Sequence, residues 1–135
     1  MSNTPKSLKD HAELAVQKAY APYSKFSVGA AILLESGEIY TGCNVENISS
    51  GLTVCAERNA VGKAVSDLGG GIRIKEVFVT NINEHGKTIH CSPCGACRQV
   101  LAEFSTPETK VSYHGEGDIT TTTMKNLLPD GFDHY

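Results

Sequence analysis

The chain has 135 residues, 40% of them hydrophobic and 20% charged, with 12 basic against 15 acidic side chains and a net charge of −3. That length suits one domain, residues 1–135, able to bury roughly two thirds of its unfolded surface without a disulfide framework. A pI near 5.9 excludes a general basic field for a phosphate backbone, and no long apolar run reads as a membrane span, so a neutral or small-molecule substrate is expected, with no nucleic acid and no membrane.

The opening Met1 to Lys6 is polar and does not read as a secretory leader. Five cysteines, an odd number that cannot all pair within the chain, add to this and point to a reducing compartment, the cytoplasm. Thr4-Pro5 has the form of a helix start, a capping hydroxyl before a proline whose missing N–H costs nothing there. Leu8, Ala12, Ala15, Val16 and Ala19 continue at helical spacing until Pro22 ends the pattern. Ser27 to Leu34 and Glu38 to Val45, joined by the Ser36-Gly37 turn, predict a β-hairpin that delivers Asn44, Glu46 and Asn47 at its far end.

A Ser- and Gly-rich loop from Asn47 to Thr53 leads to a second helix beginning near Cys55. It buries Ala60, Val61, Ala64, Val65 and Leu68 and stops at Gly69-Gly70-Gly71. Ile74, Val77, Phe78, Val79 and Ile82 predict a strand, and Pro93 stands at or just before a third helix carrying Val100, Leu101 and Phe104. Lys110 to His114 and Asp118 to Thr122 are separated only by Gly115-Glu116-Gly117, too short a link for a parallel crossover, so they form an antiparallel pair. Met124 to Leu128 is a brief helix closed by Pro129, followed by a tail from Gly131 to Tyr135. The order α, β, β, α, β, α, β, β, α predicts an α/β fold in three layers, α-β-α, around a mixed five-stranded sheet whose last two strands are antiparallel.

The chemistry concentrates in Cys55-Ala56-Glu57-Arg58 and Pro93-Cys94-Gly95-Ala96-Cys97-Arg98, each opening a predicted helix. A fold that brings the two helix starts together aims the thiols of Cys55, Cys94 and Cys97 at one point. Catalytic zinc commonly takes three protein ligands and keeps a fourth position for water, which leaves Glu57 beside the metal without binding it. The two-residue spacing of Cys94 and Cys97 also serves a redox pair, or a structural zinc site with Cys91 or His90 as fourth ligand. Three thiolates around a dication leave a net charge near minus one; the positive ends of two helices, with Arg58 and Arg98 in hydrogen bonds with the sulfurs, would restore its Lewis acidity. Cys43 reads as a small core residue and Cys91 as a free thiol near the mouth of the site.

These motifs stand among others: Ala21-Pro22-Tyr23-Ser24-Lys25-Phe26, Val28-Gly29-Ala30-Ala31, Gly42-Cys43-Asn44-Val45-Glu46-Asn47, Ser92 ahead of Pro93, Gln99-Val100 after Arg98, and Leu127-Leu128-Pro129. In that order they resemble the small, homotetrameric, three-cysteine cytidine deaminases over nearly the whole chain. The resemblance implies a cytidine deaminase-like fold and one Zn2+ per subunit on Cys55, Cys94 and Cys97. It implies Glu57 as the proton shuttle in hydrolytic deamination of cytidine or deoxycytidine to uridine or deoxyuridine, a reaction of pyrimidine salvage. It places Asn44 and Glu46 on the ribose hydroxyls, the backbone N–H of Ala56 on the base carbonyl, and Phe26 near the ribose and base. Phe132 would reach from the tail into a neighbouring subunit's site and pack on the pyrimidine, so the resemblance implies a homotetramer with shared active sites.

One departure bears on substrate. Where relatives commonly carry an aromatic before Gly-Leu-Thr, this chain has Ser50. The alternative function is therefore a deaminase of another small aminated pyrimidine nucleoside, such as blasticidin S or a modified cytosine. A catalytically silent zinc-binding module of the same fold is the competing reading from outside enzymology.

Overall fold

A computed structural model describes residues 7–133. The Thr4-Pro5 start and the last two residues of the tail lie outside them. Helix α1 (Leu8–Val16) is capped by Ser7, whose side chain accepts from the Asp10 N–H at 3.1 Å. It ends before Ala19, earlier than the apolar spacing suggests, because the chain turns to pair with a distant segment. The Tyr20 N–H donates to the Asn44 carbonyl at 3.0 Å, and the Glu46 N–H to the Tyr20 carbonyl at 2.9 Å.

One sheet holds β1 (Ser27–Leu34), β2 (Ile39–Cys43), β3 (Ile74–Ile82), β4 (Ser105–His114) and β5 (Ile119–Thr123), in the spatial order β2-β1-β3-β4-β5. Only β3 and β4 run parallel. They are the pair joined through a helix, α3 (Gly95–Glu103), as a parallel crossover requires. The predicted hairpin and the terminal antiparallel pair both form.

The two faces of the sheet follow the alternation along its central strands. From β1, Ala30, Ile32 and Leu34 join the larger core with Val77 and Val79 of β3, Ala56, Ala60, Val61 and Ala64 of α2 (Ala56–Leu68), Leu101 of α3, and Met124 and Leu127 of α4 (Met124–Leu127). The intervening Ala31 and Phe78 face the other way and pack with Ala12 and Leu8 of α1. The result is the predicted three-layer arrangement.

Two strand limits differ from the sequence reading by more than one residue. β2 ends at Cys43, and Val45 instead exchanges hydrogen bonds with Val54. β4 begins at Ser105 rather than Lys110: Ile74 pairs with Ser105 and Glu76 with Lys110, so the β4 side carries extra residues in a bulge. Thr109 holds that bulge, its hydroxyl accepting from the Thr106 N–H at 3.0 Å and donating to the Ile74 carbonyl at 2.7 Å.

Gly42 fixes how closely α2 approaches the sheet. A Cβ there would lie 2.5 Å from the Ala60 nitrogen and press on the Ala56 carbonyl, so the first turn of α2 sits directly on β2. The Asn59 side-chain amide adds a donor to the Cys43 carbonyl at 2.8 Å. The start of α2 is thereby held from two points.

Candidate active site

Cys55 and Cys94 occupy the N-cap positions of α2 and α3. Their carbonyls accept the first helical bonds, from the Asn59 N–H at 3.1 Å and the Arg98 N–H at 2.9 Å, while neither side chain caps its own helix. Both sulfurs are therefore available to a ligand at the positive ends of two helices. Cys97, one turn into α3, is fully buried and completes the group.

The Cys55 and Cys94 sulfurs are 3.9 Å apart, those of Cys94 and Cys97 3.4 Å, and all three lie within 4.8 Å of one another as free thiols. Tetrahedral zinc with Zn–S near 2.3 Å separates its sulfurs by roughly 3.8 Å, so this soft donor set fits that ion. Among the described residues these three are the group gathered to hold a metal. Cys91 turns its thiol toward the Ser92 carbonyl at 3.8 Å and His90 is exposed, so neither joins the sulfurs as a fourth ligand.

Burial pushes the Cys55 and Cys97 thiols up, and the negative charges around them add to it. At Cys94 burial acts in the same direction but is outweighed by hydrogen bonds from the Cys97 backbone, the Cys97 thiol and Cys55, leaving that thiol below its ordinary value. A dication would turn all three into thiolates and expel the remaining protons.

Glu57 lies two residues beyond Cys55 and is only 4% exposed. Burial pushes its carboxyl up from the ordinary range, against hydrogen bonds from its own backbone N–H and the Cys97 thiol. A buried carboxyl beside three sulfurs, with its pKa moved toward neutrality, has the placement of an acid-base group.

Phe26, Asn44 and Glu46 meet on the loop side of β1 and β2. The Asn44 side chain is buried; its Oδ1 accepts from the Val28 N–H at 2.8 Å and its Nδ2 donates to the Phe26 carbonyl at 2.9 Å. Glu46 Oε1 accepts from the backbone N–H groups of Tyr23 at 3.0 Å and Ser24 at 3.1 Å, and the Ser24 hydroxyl donates to Oε2. Ala56 is fully buried in the first turn of α2. Phe132 is 64% exposed, with its carbonyl held by the Gln99 side chain at 2.9 Å, and it lines a cleft of about 420 Å³ that includes none of the three cysteines.

The two arginines do not do what their adjacency to the sulfurs suggested. The Arg98 guanidinium donates to the Pro93 carbonyl at 2.8 Å, the Leu127 carbonyl at 3.1 Å and the Ser92 hydroxyl at 3.2 Å. Successive helix residues point about 100° apart, so the neighbour of an inward cysteine faces elsewhere. Arg98 is a staple between the cysteine loop and the end of α4. Arg58 is exposed, and among the described residues no hydrogen bond joins it to a sulfur.

Two residues without a role in the sequence reading also build the site. Ser24 ties Glu46 to the loop, and buried Asn81 pins the segment leading to Cys94 by exchanging two hydrogen bonds with the Ile89 backbone, at 2.8 and 3.0 Å. A polar residue within an apolar strand was the available signal for Asn81.

A family model described as the cytidine and deoxycytidylate deaminase zinc-binding region matches residues 2–113. The chain belongs to the cytidine and deoxycytidylate deaminase family. Within that family it is 49% identical over 119 residues to a cytidine deaminase of Sporosarcina psychrophila, a match covering 87% of this chain and 83% of the relative. The crystal structure of the Burkholderia pseudomallei cytidine deaminase superposes with a TM-score of 0.79 at 41% identity, covering 93% of this chain and 96% of the other. A blasticidin-S deaminase of Bacillus cereus is more distant, 31% identical over 123 residues that cover 87% of this chain and 86% of its own. The alternative substrate class is thus the less supported of the two. The zinc-binding family and the Cys55, Cys94 and Cys97 cluster together identify zinc as the cofactor, one per subunit.

Proposed function

We propose that this chain is a zinc-dependent cytidine deaminase that hydrolyses cytidine and deoxycytidine to uridine and deoxyuridine plus ammonia. The observation that carries the reading is the convergence of three cysteine sulfurs on one point with the buried Glu57 carboxyl beside them. Cys55, Cys94 and Cys97 would hold the ion. Zinc held there supplies Lewis acidity and makes a nucleophile available near neutral pH.

Glu57 takes one proton from the attacking water and places it on N3 of the base as the water oxygen bonds to C4. It then passes the second proton to the amino group, the C4–N bond breaks, and ammonia leaves with N3 still protonated, as uridine requires. Burial raises the carboxyl's pKa and so favours its holding a proton between the two transfers, which suits it to both. The Ala56 N–H orients the base carbonyl, Asn44 and Glu46 receive the sugar, and Phe26 lines the pocket. Arg58 and Arg98 carry no part in tuning the metal in this reading.

The same reading extends to assembly. Tyr20, Tyr23, Val45, Ile48 and Leu52 are large, exposed and grouped around the site loops, with Ile48 85% exposed, and Phe132 in the tail is exposed as well. That exposure supports a homotetramer in which these residues are covered by further copies and Phe132 completes a neighbour's site. The 135 residues would act as one domain, in the cytoplasm, where the five free thiols stay reduced. Among the described residues no helix is long and apolar enough to cross a membrane.

The test is turnover of cytidine and deoxycytidine by zinc-loaded protein beside Glu57→Gln. The variant is expected to keep its zinc and lose about 10²-fold or more of kcat. Loaded wild-type protein without turnover, or a variant as active as wild type, refutes the reading.

A further inference from the structure

The loop between α1 and β1 spends its polar groups on one carboxylate. Glu46 accepts three hydrogen bonds from it, two from the Tyr23 and Ser24 backbone and one from the Ser24 hydroxyl. That hydroxyl also accepts from the Phe26 N–H at 3.0 Å, while the Phe26 carbonyl is taken by Asn44 Nδ2 at 2.9 Å. Phe26, Asn44 and Glu46 therefore belong to a single hydrogen-bonded unit, and Ser24 is the node that joins Glu46 to Phe26. Lys25, between them, is held at a φ of 60°, a conformation that a side-chain-bearing residue adopts only when its surroundings fix it.

An ionised carboxylate offers about four acceptor positions. With three engaged by the loop, roughly one is left, and its direction is set by the rotamer that Ser24 locks. The hydrogen bond from Ser24 is also the leading cause holding Glu46 below the usual carboxylate range, so the group stays an acceptor.

We propose that Ser24 is a positioning residue for substrate selection: through its hydroxyl it aims the remaining acceptor position of Glu46 at a sugar hydroxyl, and so sets how strongly the enzyme prefers a nucleoside that carries one. This rests on the proposed role of Glu46 in receiving the sugar. A residue that braces the loop without aiming Glu46 would affect all substrates alike.

The experiment compares kcat/KM for cytidine and dideoxycytidine in zinc-loaded wild type, Ser24→Ala, Ser24→Thr and Glu46→Gln, with thermal melting to confirm folding. Ser24→Ala is expected to lower kcat/KM for cytidine about tenfold, mainly through KM, and that for dideoxycytidine by less than about twofold. Ser24→Thr, which keeps the hydroxyl at an exposed position, is expected to return the preference to within about threefold of wild type. If Ser24→Ala lowers both substrates equally, or neither, while Glu46→Gln still selectively impairs cytidine, the role of Ser24 is overturned and the sugar reading stands. If Glu46→Gln itself shows no dependence on the sugar hydroxyls, the sugar reading fails and the inference falls with it.

Discussion

The contact between Gly42 and the first turn of α2 couples the sheet directly to the chemistry, and Gly42→Ala perturbs it with a single methyl group. The added Cβ would lie 2.5 Å from the Ala60 nitrogen and 3.1 Å from the Asn59 carbonyl carbon, and would press on the Ala56 carbonyl. All three are backbone atoms of one helix, so no side chain can swing aside. The shortfall from ordinary van der Waals contact is roughly 1 Å, and overpacking of this kind costs about 1–3 kcal/mol. The helix relieves it by shifting off the sheet at the turn that carries Cys55, Ala56 and Glu57. A misplacement of about 1 Å at reacting groups can cost on the order of 10²-fold in rate. Gly42→Ala is therefore expected to lose both stability and kcat per bound zinc. Gly62→Ala, on the same helix, is the control: its Cβ meets nothing within 4 Å, and replacing a helical glycine stabilises by about 1 kcal/mol with kcat unchanged. Denaturant midpoints and kcat normalised to zinc content measure both. A Gly42→Ala protein as stable and active as wild type refutes the claim that this contact places the active site.

Three other consequences are open to measurement. Because burial holds the Cys55 and Cys97 thiols protonated, zinc added to metal-free protein near neutral pH is expected to release roughly two to three protons into weak buffer, and uptake without release would contradict a three-thiolate site. His114, whose Nε2 lies 3.1 Å from the Thr80 hydroxyl, has its pKa lowered by burial first and by Lys9 second. Below about pH 6.5 the unfolded chain takes up a proton that folded His114 resists, so this contribution to stability is present above that pH and is lost as pH falls toward the lowered folded value; His114→Gln should flatten the acid side of the stability curve, and an unchanged slope argues against it. Arg98→Ala should cost about 2 kcal/mol, since charge-assisted bonds to Ser92, Pro93 and Leu127 are lost together, and Arg98→Lys should recover less than half because a point charge cannot span three acceptors. Full rescue by lysine, read from melting curves, would sink the staple.

What the sequence reveals of this molecule divides along a physical line. Periodicity is local, so the apolar stripe after Cys55, the hairpin around Ser36-Gly37 and the antiparallel β4–β5 pair are all legible in the residues themselves. Where an element stops depends on distant partners. α1 ends at Val16 because Tyr20 is claimed by Asn44 and Glu46, and β4 extends back to Ser105, past Pro107, because Thr109 closes a bulge against Ile74. The cysteines and Glu57 could be singled out because residue type and helix-start position together restrict their chemistry. The arginines could not be read this way, because adjacency along a helix fixes distance from a ligand without fixing direction. Arg98 is next to Cys97 in sequence yet faces Leu127, and Ser24, which looks like an ordinary loop serine, turns out to bind Glu46, 22 positions away. Residues that act directly on a substrate announce themselves by chemical type, whereas residues that aim them are defined by geometry alone, and it is at Ser24, Asn81 and Arg98 that the structure adds most to the account of this site.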